Sequence, residues 1–219
     1  MDKAIALRHI EVGGVMVGMR GAFPPDVALA TAEAMMQEGL NVFELTMNSP
    51  QPIDAMRAIK QRYGETAVVG MGTVLSMEDA RRVLDAGADF VVSPVFQPDV
   101  VAHVQEQGVL MLPGVTTPGE CVAAWQMGVP MLKLFPVGAL GLEYFKALYG
   151  PLSHMKFMCN GAMNAENAQQ FLQAGASAVG MGTWLVGDGT WTESRLRSRA
   201  QLLKNAVAVG RGGQPERRA

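Results

Sequence analysis

The chain has 219 residues, of which 49% are hydrophobic and 17% charged, with a formal net charge of −2. That is enough apolar material for the core of one large domain and too little charge for a disordered chain. Its Lys and Arg residues are spread along the sequence, so no basic patch can neutralise a run of phosphates or dock on an anionic membrane, which argues against nucleic acid and membrane partners.

In chain order, a leading stretch over 2–10 reads as a short helix that caps one end of the fold. It mixes charges into its apolar residues, unlike a signal peptide, and no apolar run reaches a membrane-spanning length. Short apolar runs follow at 14–20, 41–46, 67–71, 89–93, 109–112, 130–134, 155–158 and 177–181, each read as a strand. Helix-entry signals lie between them: Pro24-Pro25-Asp26, Ser49-Pro50, Ser76 with Glu78 and Asp79, and Thr117-Pro118. Strands alternating with helices build a parallel sheet from βαβ units, and eight of them predict a (β/α)₈ barrel in a single domain over 1–209. The segments Val69–Leu75 and Val179–Leu185 nearly match, as a repeated βα unit would. The tail 210–219 is rich in Gly and Arg without an apolar anchor and reads as disordered.

Parallel strands inside a barrel should be continuously apolar, so an ionisable residue within one needs a reason. Arg20 ends the first run, Glu44 lies in NVFELT, and Lys133 lies in PMLKLFP. Each is at or near the C-terminal end of its strand, where barrel enzymes place catalytic groups. By the two-residue period Met131, Lys133 and Phe135 share the interior face, as do Val42, Glu44 and Thr46. An amine held among apolar neighbours loses part of its preference for the charged form, as attack on a carbonyl requires. A carboxyl balanced between burial and a nearby ammonium can take and return protons.

Five motifs then carry a resemblance: Glu44-Leu45-Thr46, Gly70-Met71-Gly72-Thr73-Val74-Leu75, Val92-Ser93-Pro94, Pro113-Gly114-Val115-Thr116-Thr117-Pro118, and Leu132-Lys133-Leu134-Phe135-Pro136. In this order and spacing the sequence resembles, over about residues 12–186, the 2-keto-3-deoxy-6-phosphogluconate (KDPG) and 4-hydroxy-2-oxoglutarate (KHG) aldolases, including their 6-phosphogalactonate branch. The resemblance implies a class I aldolase that cleaves a 2-keto-3-deoxy (phospho)sugar acid or 4-hydroxy-2-oxoglutarate to pyruvate and an aldehyde. Lys133 would form the Schiff base, Glu44 would be the general acid/base, Thr73 would hold the pyruvate carboxylate, and Pro94 and Phe135 would wall the planar enamine. Arg20 matches an arginine that some members carry at the end of the first strand, whereas others place one where Asn48 stands here. The run Asn48-Ser49-Pro50-Gln51 looks like the phosphogalactonate branch.

The match loosens at the distal loops, Asn160-Gly161-Ala162 and Gly182-Thr183, where the family has Thr-Gly-Gly or Val-Gly-Gly and Gly-Ser around a phosphate. Thr183 can replace a serine hydroxyl. Ala162 adds a Cβ where a glycine allows close approach or positive φ, which puts a phosphorylated substrate in question. The resemblance further implies a homotrimer that needs no metal or cofactor beyond the covalent lysine. Consistent with that expectation, His9, His103 and His154 are isolated, and Cys121 and Cys159 have neither metal-ligand nor disulfide spacing, which suits a reducing cytoplasm. Apolar residues around Trp125 and Phe145 serve an interface or cover the barrel. Two competing readings remain: a phosphate-binding barrel isomerase or epimerase, which leaves the interior Lys133 without a task, and a non-catalytic keto-acid-binding barrel. The second would retain an interior charge pair that apolar residues could replace.

Overall fold

A computed structural model describes residues 1–212; residues 213–219 lie outside the described residues. The strands are β1 (Val15–Met19), β2 (Val42–Thr46), β3 (Val68–Gly72), β4 (Phe90–Val92), β5 (Leu110–Leu112), β6 (Gly114–Val115), β7 (Leu132–Leu134), β8 (Phe157–Asn160) and β9 (Ala178–Met181). All pair in parallel, in the order β5-β4-β3-β2-β1-β9-β8-β7-β6.

The two ends of that order adjoin in sequence: the fifth apolar run, 109–112, stops before Pro113, and β6 is a further short strand just beyond it. Proline has no N–H for a ladder, so the chain changes partner there. Before it, Leu110–Leu112 pairs with β4; after it, Gly114 and Val115 pair with Lys133 and Leu134 of β7. The Pro113 carbonyl accepts from the Lys133 N–H at 2.9 Å. The sheet therefore closes on itself, and the eight apolar runs of the sequence are the staves of a (β/α)₈ barrel.

Helices cover the outside. Ser76 caps Met77–Asp85 by accepting from the Asp79 N–H, and Thr117 with Glu120 makes a reciprocal capping box at the start of Pro118–Gln126. The expected entry at Ser49-Pro50 moves: the helix is Pro52–Tyr63, preceded by Gln51 at φ 47°. Ser49 is instead occupied elsewhere, as described below. Phe145 is fully buried and stacks on Tyr149 and against Phe157 and Phe171, so this aromatic group covers the barrel.

Two separate apolar clusters show the layers. The larger lies between strands and helices; the smaller consists of the inward residues Met16, Val42, Val68, Phe90, Val92, Leu110, Leu112, Met131, Met158 and Ala178. Ala6 and Ile10 of the leading helix Lys3–Gly13 join the smaller cluster and seal the barrel floor. The last helix, Glu193–Gly212, extends past the expected boundary at 209 because Arg211 has partners: its guanidinium donates to the Glu11 and Val12 carbonyls in the last turn of Lys3–Gly13 and to Ser177. Residues 210–212 thus belong to the folded part.

Candidate active site

The interior faces follow the two-residue period to the top of the barrel. Above the apolar floor the inward positions turn to Gly18, Glu44, Gly72, Gly114, Lys133, Asn160 and Gly180, and small or polar residues there leave a cavity of about 580 Å³. It opens at the C-terminal ends of the strands. Arg20, Glu44, Thr73, Pro94, Lys133, Phe135, Gly161, Ala162, Gly182 and Thr183, all singled out from the sequence, line this one cavity.

Lys133 and Glu44 are only 7% and 5% exposed, and Lys133 Nζ lies 3.6 Å from Glu44 Oε1. That separation is long for a hydrogen bond yet close enough for strong charge interaction away from water. Glu44 Oε1 is buried without a hydrogen-bond partner among the described residues, with the lysine amine 3.6 Å away. Gly72 makes this position possible, since a Cβ there would overlap the Glu44 carboxylate. The Phe135 ring stands beside the amine, its centroid 5.4 Å from Nζ.

Arg20 is exposed at the rim and makes no ion pair among the described residues, but both its chain neighbours are held. The Thr46 hydroxyl donates to the Met19 carbonyl at 3.5 Å, the Gly21 N–H donates to Ser49 Oγ at 3.0 Å, and the two hydroxyls are 2.9 Å apart. Thr46 and Ser49 therefore brace the loop that carries the guanidinium. Thr73 takes φ 58°, unusual for a β-branched residue and of the kind found where surrounding structure enforces a functional geometry.

At the distal loops Gly161 has φ 93°, and a Cβ there would press on Pro136 and the Phe135 ring at 3.0–3.2 Å. Ala162 takes φ 52°, so it keeps the left-handed backbone expected of a glycine and adds only its methyl group. Its carbonyl accepts from Asn167 Nδ2 at 2.9 Å. Trp184 follows Thr183 in the cavity wall, with the Arg199 guanidinium 4.6 Å from its ring centroid.

The structure adds Thr46, Asn160, Met163 and Trp184 to the lining, together with Gly18, Gly180 and Met181 of the strands. Thr46 was already on the interior face with Glu44. The sequence reading ends the seventh apolar run at Met158 and so puts Asn160 in a distal loop, whereas β8 continues two residues further and Asn160 is its last residue. The histidines lie elsewhere: His9 contacts Asn41, His154 meets Trp125 edge-on, and His103 is on the helix Pro98–Glu106. Both thiols are buried, which pushes Cys121 up to about 12 and Cys159 higher still, so neither offers a thiolate near neutral pH.

Comparison with known proteins shows which family the chain belongs to. The family model described as "KDPG and KHG aldolase" matches residues 22–198. The 2-dehydro-3-deoxy-6-phosphogalactonate aldolase of Escherichia coli is 31% identical over 190 residues, covering 86% of this chain and 93% of the relative. A KDPG aldolase from Legionella pneumophila, solved with pyruvate captured as a covalent carbinolamine intermediate, superposes with a TM-score of 0.74 at 27% identity, covering 90% and 93% of the two chains. A cube-shaped cage designed by fusing symmetric oligomeric domains superposes with a TM-score of 0.83 at 29% identity, covering 90% of this chain and 73% of the other.

Proposed function

The chain belongs to the KDPG and KHG aldolase family, and from that membership we propose that Lys133 and Glu44 carry out its class I, pyruvate-forming aldol cleavage. The observation that carries the assignment is the buried Lys133–Glu44 pair, 3.6 Å apart, facing a cavity at the C-terminal mouth of the barrel. The substrate is a 2-keto-3-deoxy (phospho)sugar acid or 4-hydroxy-2-oxoglutarate.

Lys133 Nζ attacks the C2 carbonyl carbon to give a carbinolamine. Glu44 protonates its hydroxyl, which leaves as water, and an iminium forms. The C3–C4 bond then breaks: its electron pair moves into the C2–C3 bond as the iminium π pair returns to nitrogen, while the C4 hydroxyl proton passes to Glu44. The aldehyde departs, Glu44 returns a proton to C3 of the enamine, and water releases pyruvate. The iminium is the electron sink, so the chain's own amine supplies the electrophile. Arg20 and Thr73 hold the carboxylate end. Pro94 and Phe135 flank the planar enamine, and the loops at Gly161-Ala162 and Gly182-Thr183 receive the far end.

The assembly is a homotrimer. Its support is the likeness to a relative built from symmetric oligomeric domains, together with exposed apolar Leu75 and Val95, on neighbouring loops tied by a Gln97 side chain that donates to the Leu75 carbonyl. A reducing cytoplasm suits two unpaired buried cysteines, and no described helix is long and apolar enough to cross a membrane. Intact-mass measurement after treatment with pyruvate and borohydride tests the chemistry. One reduced pyruvate adduct per chain, absent in Lys133→Ala, is the expected result; wild-type protein that forms no adduct would overturn the assignment.

A further inference from the structure

The threonines of the motif Pro113–Pro118 have no part in the chemistry above, yet one of them is a junction. Thr116 stands just past β6, half-buried and outside the cavity lining, and each of its polar groups has a partner on a different element. Its N–H donates to Glu120 Oε2 at 2.9 Å, on the helix Pro118–Gln126, and its carbonyl accepts from the Tyr144 hydroxyl, on the helix Leu142–Tyr149. Its own hydroxyl donates to the Phe135 carbonyl at 2.5 Å.

Phe135 is the partner nearest the chemistry. It lies one position past β7 and two from Lys133. Its N–H donates to the Val115 carbonyl at 3.0 Å and its carbonyl takes the Thr116 hydroxyl, so the peptide groups on both sides of its Cα are tied to one segment. Those two groups set φ and ψ, and with them the direction of the Cα–Cβ bond that carries the ring. The ring has little room to compensate: its centroid is 5.4 Å from Lys133 Nζ, and a Cβ on Gly161 would come to 3.2 Å from it. Proton transfer at C3 of the iminium or enamine needs the C–H bond aligned with the π system, so a tilt of the wall against which that plane lies slows this step more than it slows attack by the amine.

We propose, resting on the aldolase reading, that Thr116 is a positioning residue: braced by Glu120 and Tyr144, it uses its hydroxyl to fix the Phe135 ring against the Lys133 iminium and so aims C3 of the bound keto acid at Glu44. A wall whose own backbone is locked by supporting hydrogen bonds holds the reacting groups to the tolerance that turnover requires.

The test is exchange of the C3 hydrogens of pyruvate in deuterium oxide, followed by NMR, in wild type, Thr116→Val, Thr116→Ala and Thr116→Ser. Loss of the hydroxyl in Thr116→Val should lower kcat for exchange about 10- to 30-fold while KM for pyruvate changes by less than about threefold, and Thr116→Ser should recover most of the loss. Thr116→Ala is read in the same way and decides the matter if valine is not accommodated. In a Phe135→Leu background, Thr116→Val should change kcat by less than about threefold, because the ring it holds is gone. Borohydride trapping at saturating pyruvate should stay at one adduct per chain in wild type and the Thr116 variants, which counts the folded sites. Undiminished exchange in a trapping-competent Thr116→Val or Thr116→Ala overturns the role of Thr116, and so does the full loss repeated in the Phe135→Leu background. Absence of trapping in wild type overturns the aldolase reading and this assignment with it.

Discussion

Gly72 lies directly against the carboxylate of Glu44, closely enough that no side chain fits between β3 and that group. The Gly72→Ala variant should therefore push Glu44 off its position beside Lys133. Turnover is expected to fall at least about 100-fold, the scale of a lost general acid/base. Steady-state kinetics against wild type checks this, and a variant within threefold of wild-type kcat would show that the carboxylate tolerates displacement.

Lys133 and Glu44 also predict an asymmetry in stability. Replacing only the lysine, as Lys133→Met, leaves a buried carboxylate without its counter-charge and should cost about 3 kcal/mol. The double variant Lys133→Met/Glu44→Leu removes both charges and should recover most of that loss while remaining inactive. Urea unfolding at neutral pH measures both, and a single variant as stable as wild type would argue that the pair is not desolvated.

The Thr46–Ser49 brace makes a prediction about coupling. Ser49→Ala frees the Gly21 N–H and loosens the loop under Arg20, so KM for the keto acid should rise about 5- to 20-fold with kcat nearly unchanged, and Ser49→Thr should restore it. If the hydroxyl acts through Arg20, adding Ser49→Ala to an Arg20→Ala background changes little. Fully additive effects in the double variant would separate the two residues.

Ala162 already has the backbone of a glycine, so Ala162→Gly should alter the site only by removing a methyl group and loosening one residue. The ratio of kcat/KM for a phosphorylated over an unphosphorylated sugar acid should increase several-fold, because the loop amides can approach a phosphate more closely. Equal changes for both substrates would place the methyl group away from the phosphate position.

Arg211 offers a control remote from chemistry. Its guanidinium joins the last helix to the carbonyls ending the floor helix, and partial burial holds its pKa below the usual arginine value. Arg211→Ala should reduce stability by about 2 kcal/mol, in line with hydrogen bonds from a charged donor. Activity below the melting transition should be unchanged, and a large loss of kcat would tie the floor to the mouth.

Much of this was readable in the residues. Apolar runs marked the staves, and Lys133 and Glu44 stood out because an interior strand has no structural use for a charge. Local chemistry that competes with a propensity was less legible. Ser49 before Pro50 reads as a helix cap, but its hydroxyl is taken by Thr46 and Gly21, and the helix begins at Pro52. The fifth run ends before Pro113, and the strand Gly114–Val115 beyond it, which pairs with the opposite neighbour, is too short to show as an apolar run. Arg211 anchors a Gly-rich stretch through contacts nearly 200 residues away in sequence, beyond any local pattern.

The glycines of the upper barrel carry one more implication. Where Gly18, Gly72 and Gly180 replace side chains, the room for a ligand is set by backbone and not by surface loops. Backbone in a closed ladder moves little, so the reacting half of any substrate meets a mould of fixed dimensions. Diversification of such an enzyme would accordingly be confined to the rim, where a change of one residue alters which far end is accepted and leaves the bond-breaking geometry as it was.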